Sequence, residues 1–312
     1  MESLRLCTEA NIPILLYMLA GYIAKRANLI KEEDVVKFNK FTFTIFLSIN
    51  IFNSIYKSSW QSAIRPALIL YTIVGILAMY MFSVWYANRF VEEKFQRGAV
   101  VQGLFRTNFV LIGLTIAETL VPYEDVASIA VLSAVTSPLF NVLAIVSFSS
   151  NSEEKIIVPD VLKSIFTNPL TIASVAGILC MLLQIRFPVA IENSIDKMSG
   201  VAMPLMLFLS GAFFKFDSLN KYRCRLVAVT ILRLIAIPAV FLTMGYYLGF
   251  RGMSFVALVG LFASSSTASS FTVAMQMNGD AELAGDIAAL TTVLCPFTIF
   301  LWTLLFKSIS AF

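Results

Sequence analysis

Apolar residues run along this chain in blocks of 16 to 26 positions, each closed by a short stretch of charged or turn-forming residues. An α-helix rising 1.5 Å per residue needs about 20 such residues to cross roughly 30 Å of hydrocarbon. The blocks lie at 9–24, 36–55, 65–88, 98–119 and 125–148. Beyond a polar segment from Ser149 to Asp160 they resume at 161–184, 189–213, 225–248, 252–276 and 283–308. The pattern predicts an all-α polytopic membrane protein of about ten transmembrane helices.

The two sets of five blocks repeat one another. Ile129, Ala130, Leu132, Val135, Pro138 and Leu143 match Ile287, Ala288, Leu290, Val293, Pro296 and Leu301, always 158 positions apart. Asn11-Ile12-Pro13 and Asn168-Pro169 each lead to an Ala-Gly pair, Ala20-Gly21 and Ala176-Gly177. Five is odd, so the second set enters the membrane in the opposite sense to the first. Two inverted five-helix repeats follow, 1–150 and 161–312, joined by a linker at 151–160. Inverted repeats are a recurring architecture of secondary transporters, whose substrate sits near the midplane between interrupted helices.

Lysines and arginines orient the chain. With the N-terminus outside, the inner segments hold 14 of them, among them Lys25, Arg26, Arg89, Lys94, Arg97, Lys155, Arg223 and Arg225, against 7 outside. Cytoplasmic segments carry the excess of Lys and Arg, so both termini are expected to be extracytoplasmic, the linker cytoplasmic and the protein in the cell membrane.

Composition narrows the field. The chain is 58% hydrophobic and 13% charged with a mean hydropathy of +0.83, too apolar for a water-facing surface. A net charge of +4 comes from single basic residues between apolar blocks, not from a basic stripe of the kind that binds nucleic acid. Cys7, Cys180, Cys224 and Cys295 lack CxxC or metal-ligand spacing and there is no histidine, so neither a metal site nor a cofactor is expected. The N-terminus lacks the features of a cleaved signal peptide, with Glu2 and Glu9 ahead of the first block. No HExxH, phosphate-binding loop or histidine-based triad is present, which argues against an enzyme.

Ionisable groups inside a bilayer are costly, at least about 2.5 kcal/mol on insertion scales. Two fall near mid-block, Arg106 in the fourth and Arg233 in the eighth, while Glu9, Glu118 and Asp286 lie toward block ends. Arginine at the midplane favours an anionic ligand, because the guanidinium fork matches a carboxylate and stays charged. For Arg233 snorkelling or bonding to a backbone carbonyl is an equal alternative. The ninth block carries the polar run Ser264 to Ser270, suited either to close helix packing or to a site shared with its repeat partner, the fourth block. Thr107 and Asn108 would there meet Ser265 and Ser266. The second block is polar too, through Asn39, Thr42, Thr44, Ser48, Asn50 and Asn53, which points to helix contacts or a translocation path. Pro138, Pro204, Pro238 and Pro296 read as kinks.

Several of these segments together resemble the auxin efflux carrier family of membrane transport proteins in its compact bacterial form. They are Asn11-Ile12-Pro13 with Ala20 to Lys25, Asn39-Lys40-Phe41, Phe105 to Asn108 with Ile112-Gly113-Leu114, Thr167-Asn168-Pro169, Met203-Pro204-Leu205 with Gly211-Ala212, and the serine-rich ninth block. The resemblance implies a scaffold made of the first, second, sixth and seventh helices and a transport domain made of the rest. In that domain broken helices 4 and 9 cross to form the substrate site. It also implies a binding role for Asn108 and a substrate among small organic anions such as auxin, malate or malonate. The plant carriers have prolines where this chain has Ser48, Thr107 and Ser265, and their long cytosolic loop has no counterpart here.

The expected function is therefore a carrier of mono- or dicarboxylates working by alternating access, with the lipid bilayer as its surroundings. The candidate substrate-binding set is Arg106, Thr107, Asn108, Ser265, Ser266, Thr267, Ser269, Asn50 and Arg233. A proton or sodium ion as coupling partner and a homodimeric assembly stay open. The rival reading is a membrane-embedded sensor or scaffold that binds a small ligand without moving it.

Overall fold

The computed structural model describes residues 2–57, 65–121, 127–149, 167, 169–212, 222–267, 269–277 and 279–312, and within these some side chains, among them Glu9, Glu118, Pro138 and Ser269, fall outside the description. The linker at 151–160 and Asn168 also lie outside the described residues. Among the described residues the protein is all-helical, without a strand. In lipid every backbone N–H and C=O needs an internal partner, and a helix supplies one within its own segment.

The first helices are α1 (Glu2–Arg26), then α2 (Glu32–Thr42), a π-helical turn at Phe43–Leu47 and α3 (Ser48–Tyr56). Next come α4 (Pro66–Phe90), α5 (Lys94–Phe105), α6 (Phe109–Leu120) and α7 (Ala127–Ser149). The later part has α8 (Pro169–Leu182), α9 (Val189–Ala212) and α10 (Arg223–Ile231), which a second π turn at Leu232–Ala236 joins to α11 (Ile237–Tyr247). The chain ends with α12 (Met253–Phe262), α13 (Ser269–Gln276) and α14 (Ala281–Ser308).

Among the described residues five helical stretches are long and apolar enough to cross a membrane: Glu33–Asn53, Pro66–Phe90, Ser128–Phe148, Arg223–Tyr247 and Ala281–Ser308. Of the other apolar blocks, the first holds the continuous α1, which carries Glu2, Arg5 and Glu9 in its first part, α9 has a first half that carries Glu192, Asp196 and Lys197, and the rest hold shorter or interrupted helices among the described residues. Large apolar side chains lie on the outside. On α4 the exposed row Leu70, Val74, Leu77, Met81 and Trp85 backs onto a buried row containing Leu68, Ile76 and Met79, as expected of a helix with lipid on one face and protein on the other.

Small residues set the closest helix contacts, as membrane packing favours. α1 lies against α9 with Gly21 facing the carbonyl of Phe208 and Gly211 facing that of Met18. A Cβ on either glycine would sit within 2 Å of the opposing oxygen. Gly260 of α12 also meets the backbone of Gly113 of α6, since a Cβ there would lie 2.5 Å from the Gly113 Cα. Pro13, Pro204 and Pro296 lie inside continuous helices. Pro238 has no N–H to offer Leu234, and the indole of Trp302 donates to that carbonyl at 3.0 Å.

Candidate functional site at two paired helix interruptions

α5 stops at Phe105 although no proline follows it. Arg106 turns extended (φ −81°, ψ 119°) and Asn108 takes φ −88°, ψ 45° before α6 begins at Phe109. Were the helix to continue, the Asn108 N–H would donate to Leu104; it donates instead to the Ser265 carbonyl, at 2.9 Å. α12 stops in the same way at Phe262, and its chain runs through Ser264, Ser265 and Ser266 before α13 begins at Ser269. Thr107 and Ser266 pair across the two interruptions as an isolated antiparallel bridge. Each interruption therefore satisfies backbone groups of the other.

Arg233 closes the remaining gaps. It sits in the second π turn, fully buried, and its Nη1 donates to the Leu104 carbonyl at 3.1 Å. Its Nη2 donates to Leu261 at 3.3 Å and its Nε to Ser264 at 3.0 Å. The first two are terminal carbonyls of α5 and α12, which a helix end leaves without an amide, and the third belongs to the interruption that follows α12. A positive charge at two helix C-termini also answers their dipoles, so a buried guanidinium is tolerated here with carbonyls as its partners. An extra-wide turn shifts the side chains that follow it by one position, and π turns are frequent at functional sites.

Arg106 is the second buried arginine, 8% exposed, with Nη1 donating to Gln102 Oε1 at 3.3 Å. Around it the Thr107 Oγ1, Ser266 Oγ and Gln102 Nε2 atoms are buried with no hydrogen-bond partner, as is Ser270 Oγ in the first turn of α13. A buried polar atom left unsatisfied costs about 1–3 kcal/mol, so such a group of atoms fits a site that a polar ligand or water completes. The amide of Ser266 is held by Thr291 Oγ1 of α14 at 3.1 Å, and that hydroxyl donates in turn to the Ile287 carbonyl at 2.7 Å. α6 and α13 both begin at the interruptions, so their positive dipole ends face the same region.

The structure thus brings together Arg106, Thr107, Asn108, Ser265 and Ser266. Thr267 follows half-buried, its carbonyl accepting from the Ser270 amide at 3.0 Å. Ser269 opens α13, with its side chain outside the described part. Arg233 is adjacent but spends its fork on carbonyls. Asn50 is placed elsewhere: its Nδ2 donates to the Ser199 carbonyl and hydroxyl at 3.2 and 3.0 Å, in the contact between α3 and α9. It belongs to a polar ladder continued by Asn53 to Asp196, Lys57 to Asp196 and Tyr56 to Glu192.

Three participants escaped the sequence reading. Gln102 lies one helical turn before Arg106, an i, i+4 amide–guanidinium pair that could have been noticed. Thr291 and the Gly113–Gly260 approach had no local signal, because their partners are remote in sequence.

A family model described as membrane transport protein matches residues 6–303 of the chain. A protein of Methanothermobacter thermautotrophicus named uncharacterized transporter is 24% identical over 300 residues, covering 95% of this chain and 97% of that one. The uncharacterized transporter YfdV of Escherichia coli K12 is 23% identical over 294 residues, covering 88% and 91% respectively.

Proposed function

We propose, from the premise that the chain belongs to the membrane transport protein family, that it is a secondary carrier moving small organic anions by alternating access. The auxin efflux carrier resemblance read from the motifs agrees with that membership. The multi-pass, all-helical membrane transporter is the part already established; substrate class, site and mechanism are the proposal. The observation that carries it is the pairing of Thr107 with Ser266, which joins two helix interruptions in the apolar core beside the buried Arg106.

In this reading Arg106 supplies the charge for a substrate carboxylate, and Asn108 with the hydroxyls of Thr107, Ser265, Ser266, Thr267 and Ser269 completes the cradle. Charge-assisted hydrogen bonds of this kind are the strong ones. Arg233 is a positioning residue that fixes both interruptions, and Asn50 belongs to the scaffold. The two halves, 1–150 and 161–312, form inverted repeats crossing the membrane about ten times, with the linker at the cytoplasmic face and both termini opposite. α1–α3 with α8 and α9 form the scaffold, against which the remaining helices rock.

A thermal-unfolding screen of mono- and dicarboxylates at several pH values, with and without sodium, tests the site. A ligand that binds only the folded state raises the midpoint. At least one carboxylate should stabilise the parent protein and fail to stabilise Arg106→Ala and Asn108→Ala. Equal stabilisation of both variants by every carboxylate that acts on the parent would remove the crossing as the anion site.

A further inference from the structure

A polar cavity of about 840 Å³ lies where α4 ends and α5, α10 and α14 begin. Gln96, on its wall, lies ten positions before Arg106, about 15 Å along α5. The cavity is therefore apart from the crossing. Its polar groups are unevenly used. Asp280 is fully engaged, capping α14 through the Leu283 amide at 2.9 Å and accepting from the Tyr222 hydroxyl at 3.0 Å. Arg223 and Arg225 have no hydrogen-bond or ion-pair partner among the described residues, and neither does the Glu93 carboxylate. Gln96 is 6% exposed, and its Oε1 is buried without a donor.

The cavity thus offers two guanidinium forks and a carboxylate without a protein partner among the described residues, and one buried amide oxygen without a donor. A guanidinium fork suits phosphate, and an ammonium brings three donors. The ligand this set describes has a phosphate and an N–H-bearing cation close together.

The surroundings say where such a ligand comes from. Phe90 and Phe95 at the cavity are more than half exposed, and Trp85 stands one turn along α4. Tryptophan and tyrosine mark the headgroup level of a bilayer, and Trp85 stands beside Tyr86, which lines the cavity. From the cavity, α4 and the α10–α11 segment both present exposed apolar side chains, Met81 and Leu77 on one and Val227 and Ile231 on the other. The two converge farther along, where Tyr71 Oη donates to the Phe241 carbonyl at 2.6 Å. Those exposed side chains give acyl chains an apolar surface to lie on.

We propose that the cavity binds the headgroup of a phosphatidylethanolamine-type phospholipid, phosphate on Arg223 and Arg225, ammonium on Gln96 Oε1 and Glu93. The inference uses only the membrane setting and stands apart from the substrate site. A choline headgroup has no N–H to give Gln96, and a glycerol headgroup has no cation for Glu93, so the ethanolamine form is the one selected.

Native mass spectrometry of the full chain in micelles, given equimolar phosphatidylethanolamine, phosphatidylcholine and phosphatidylglycerol, tests this. Phosphatidylethanolamine should be retained about 10-fold over either competitor, the scale of one hydrogen bond to a charged group. Arg223→Gln with Arg225→Gln should lose all three lipids. Gln96→Leu should keep phosphatidylethanolamine while losing the preference over phosphatidylcholine. Ala228→Trp, which fills the cavity and keeps both arginines, should exclude the lipid as well, so a misfolded arginine variant does not decide the matter. Equal retention of the three lipids by the parent, or unchanged retention by Ala228→Trp, overturns the proposal. So does displacement of the lipid by soluble glycerophosphoethanolamine at equal concentration, because the headgroup alone would then be the ligand.

Discussion

Arg233 spreads one guanidinium over the carbonyls of Leu104 and Leu261, at the ends of two different helices, and of Ser264 in the interruption after the second. Replacing it by methionine leaves those carbonyls buried without donors, and removing one side of a buried charged arrangement costs about 3–5 kcal/mol. Arg233→Met should therefore lower the unfolding midpoint strongly, as read by thermal unfolding in detergent. Arg233→Lys should rescue little, since an ammonium cannot reach three fixed carbonyls in the same plane. Arg106 has the opposite expectation. Arg106→Gln should leave the midpoint close to that of the parent and weaken carboxylate affinity about 10-fold or more, the loss of one charge-assisted bond. Hydropathy alone singled out both arginines, because a charge in an apolar block is conspicuous. It could not separate them, since the bonds that distinguish Arg233 span 28 to 129 positions of sequence.

The interruptions show what is and is not written locally in an element. The apolar blocks were legible because lipid leaves few alternatives to a helix. The stops after Phe105 and Phe262 were not written in the hydropathy pattern, since the usual sign of a stop is a proline and here Thr107 and Ser265 take that place; the family resemblance alone implied broken helices 4 and 9. The break is held from outside, by the Asn108–Ser265 bond, the Thr107–Ser266 bridge and Arg233. Glycine contacts set how closely the elements lie. Gly260→Ala forces α12 away from the Gly113 backbone of α6, and such overpacking costs about 1–3 kcal/mol. Because the same displacement pulls Ser265 from Asn108, transport should fall further than stability does. A variant that unfolds at a lower temperature yet transports at the parent rate would show that the two helices are not held in register at this point. Gly21→Ala, on the α1–α9 contact, should lower stability by a similar amount through the Phe208 carbonyl.

At the scale of the whole molecule the proposed inverted architecture and its orientation rest on the 158-position repeat and the uneven distribution of Lys and Arg. Cys224 is exposed beside Arg223 and Arg225, on the face expected to be cytoplasmic. In a variant that keeps only Cys224, a membrane-impermeant maleimide should label permeabilised cells and leave intact cells unlabelled. Labelling of intact cells would reverse the orientation. Asn50 marks the limit of pattern reading at this scale. A polar residue in an apolar block predicts burial against protein or water, and the structure gives it Ser199 of α9 as partner. The account as a whole rests on an anion held at the paired interruptions and carried across. Counterflow of labelled malonate into proteoliposomes loaded with unlabelled malonate measures this directly. The parent protein should accumulate label transiently while Arg106→Ala and Asn108→Ala, incorporated to the same level, do not; accumulation at the parent rate in both variants would contradict it.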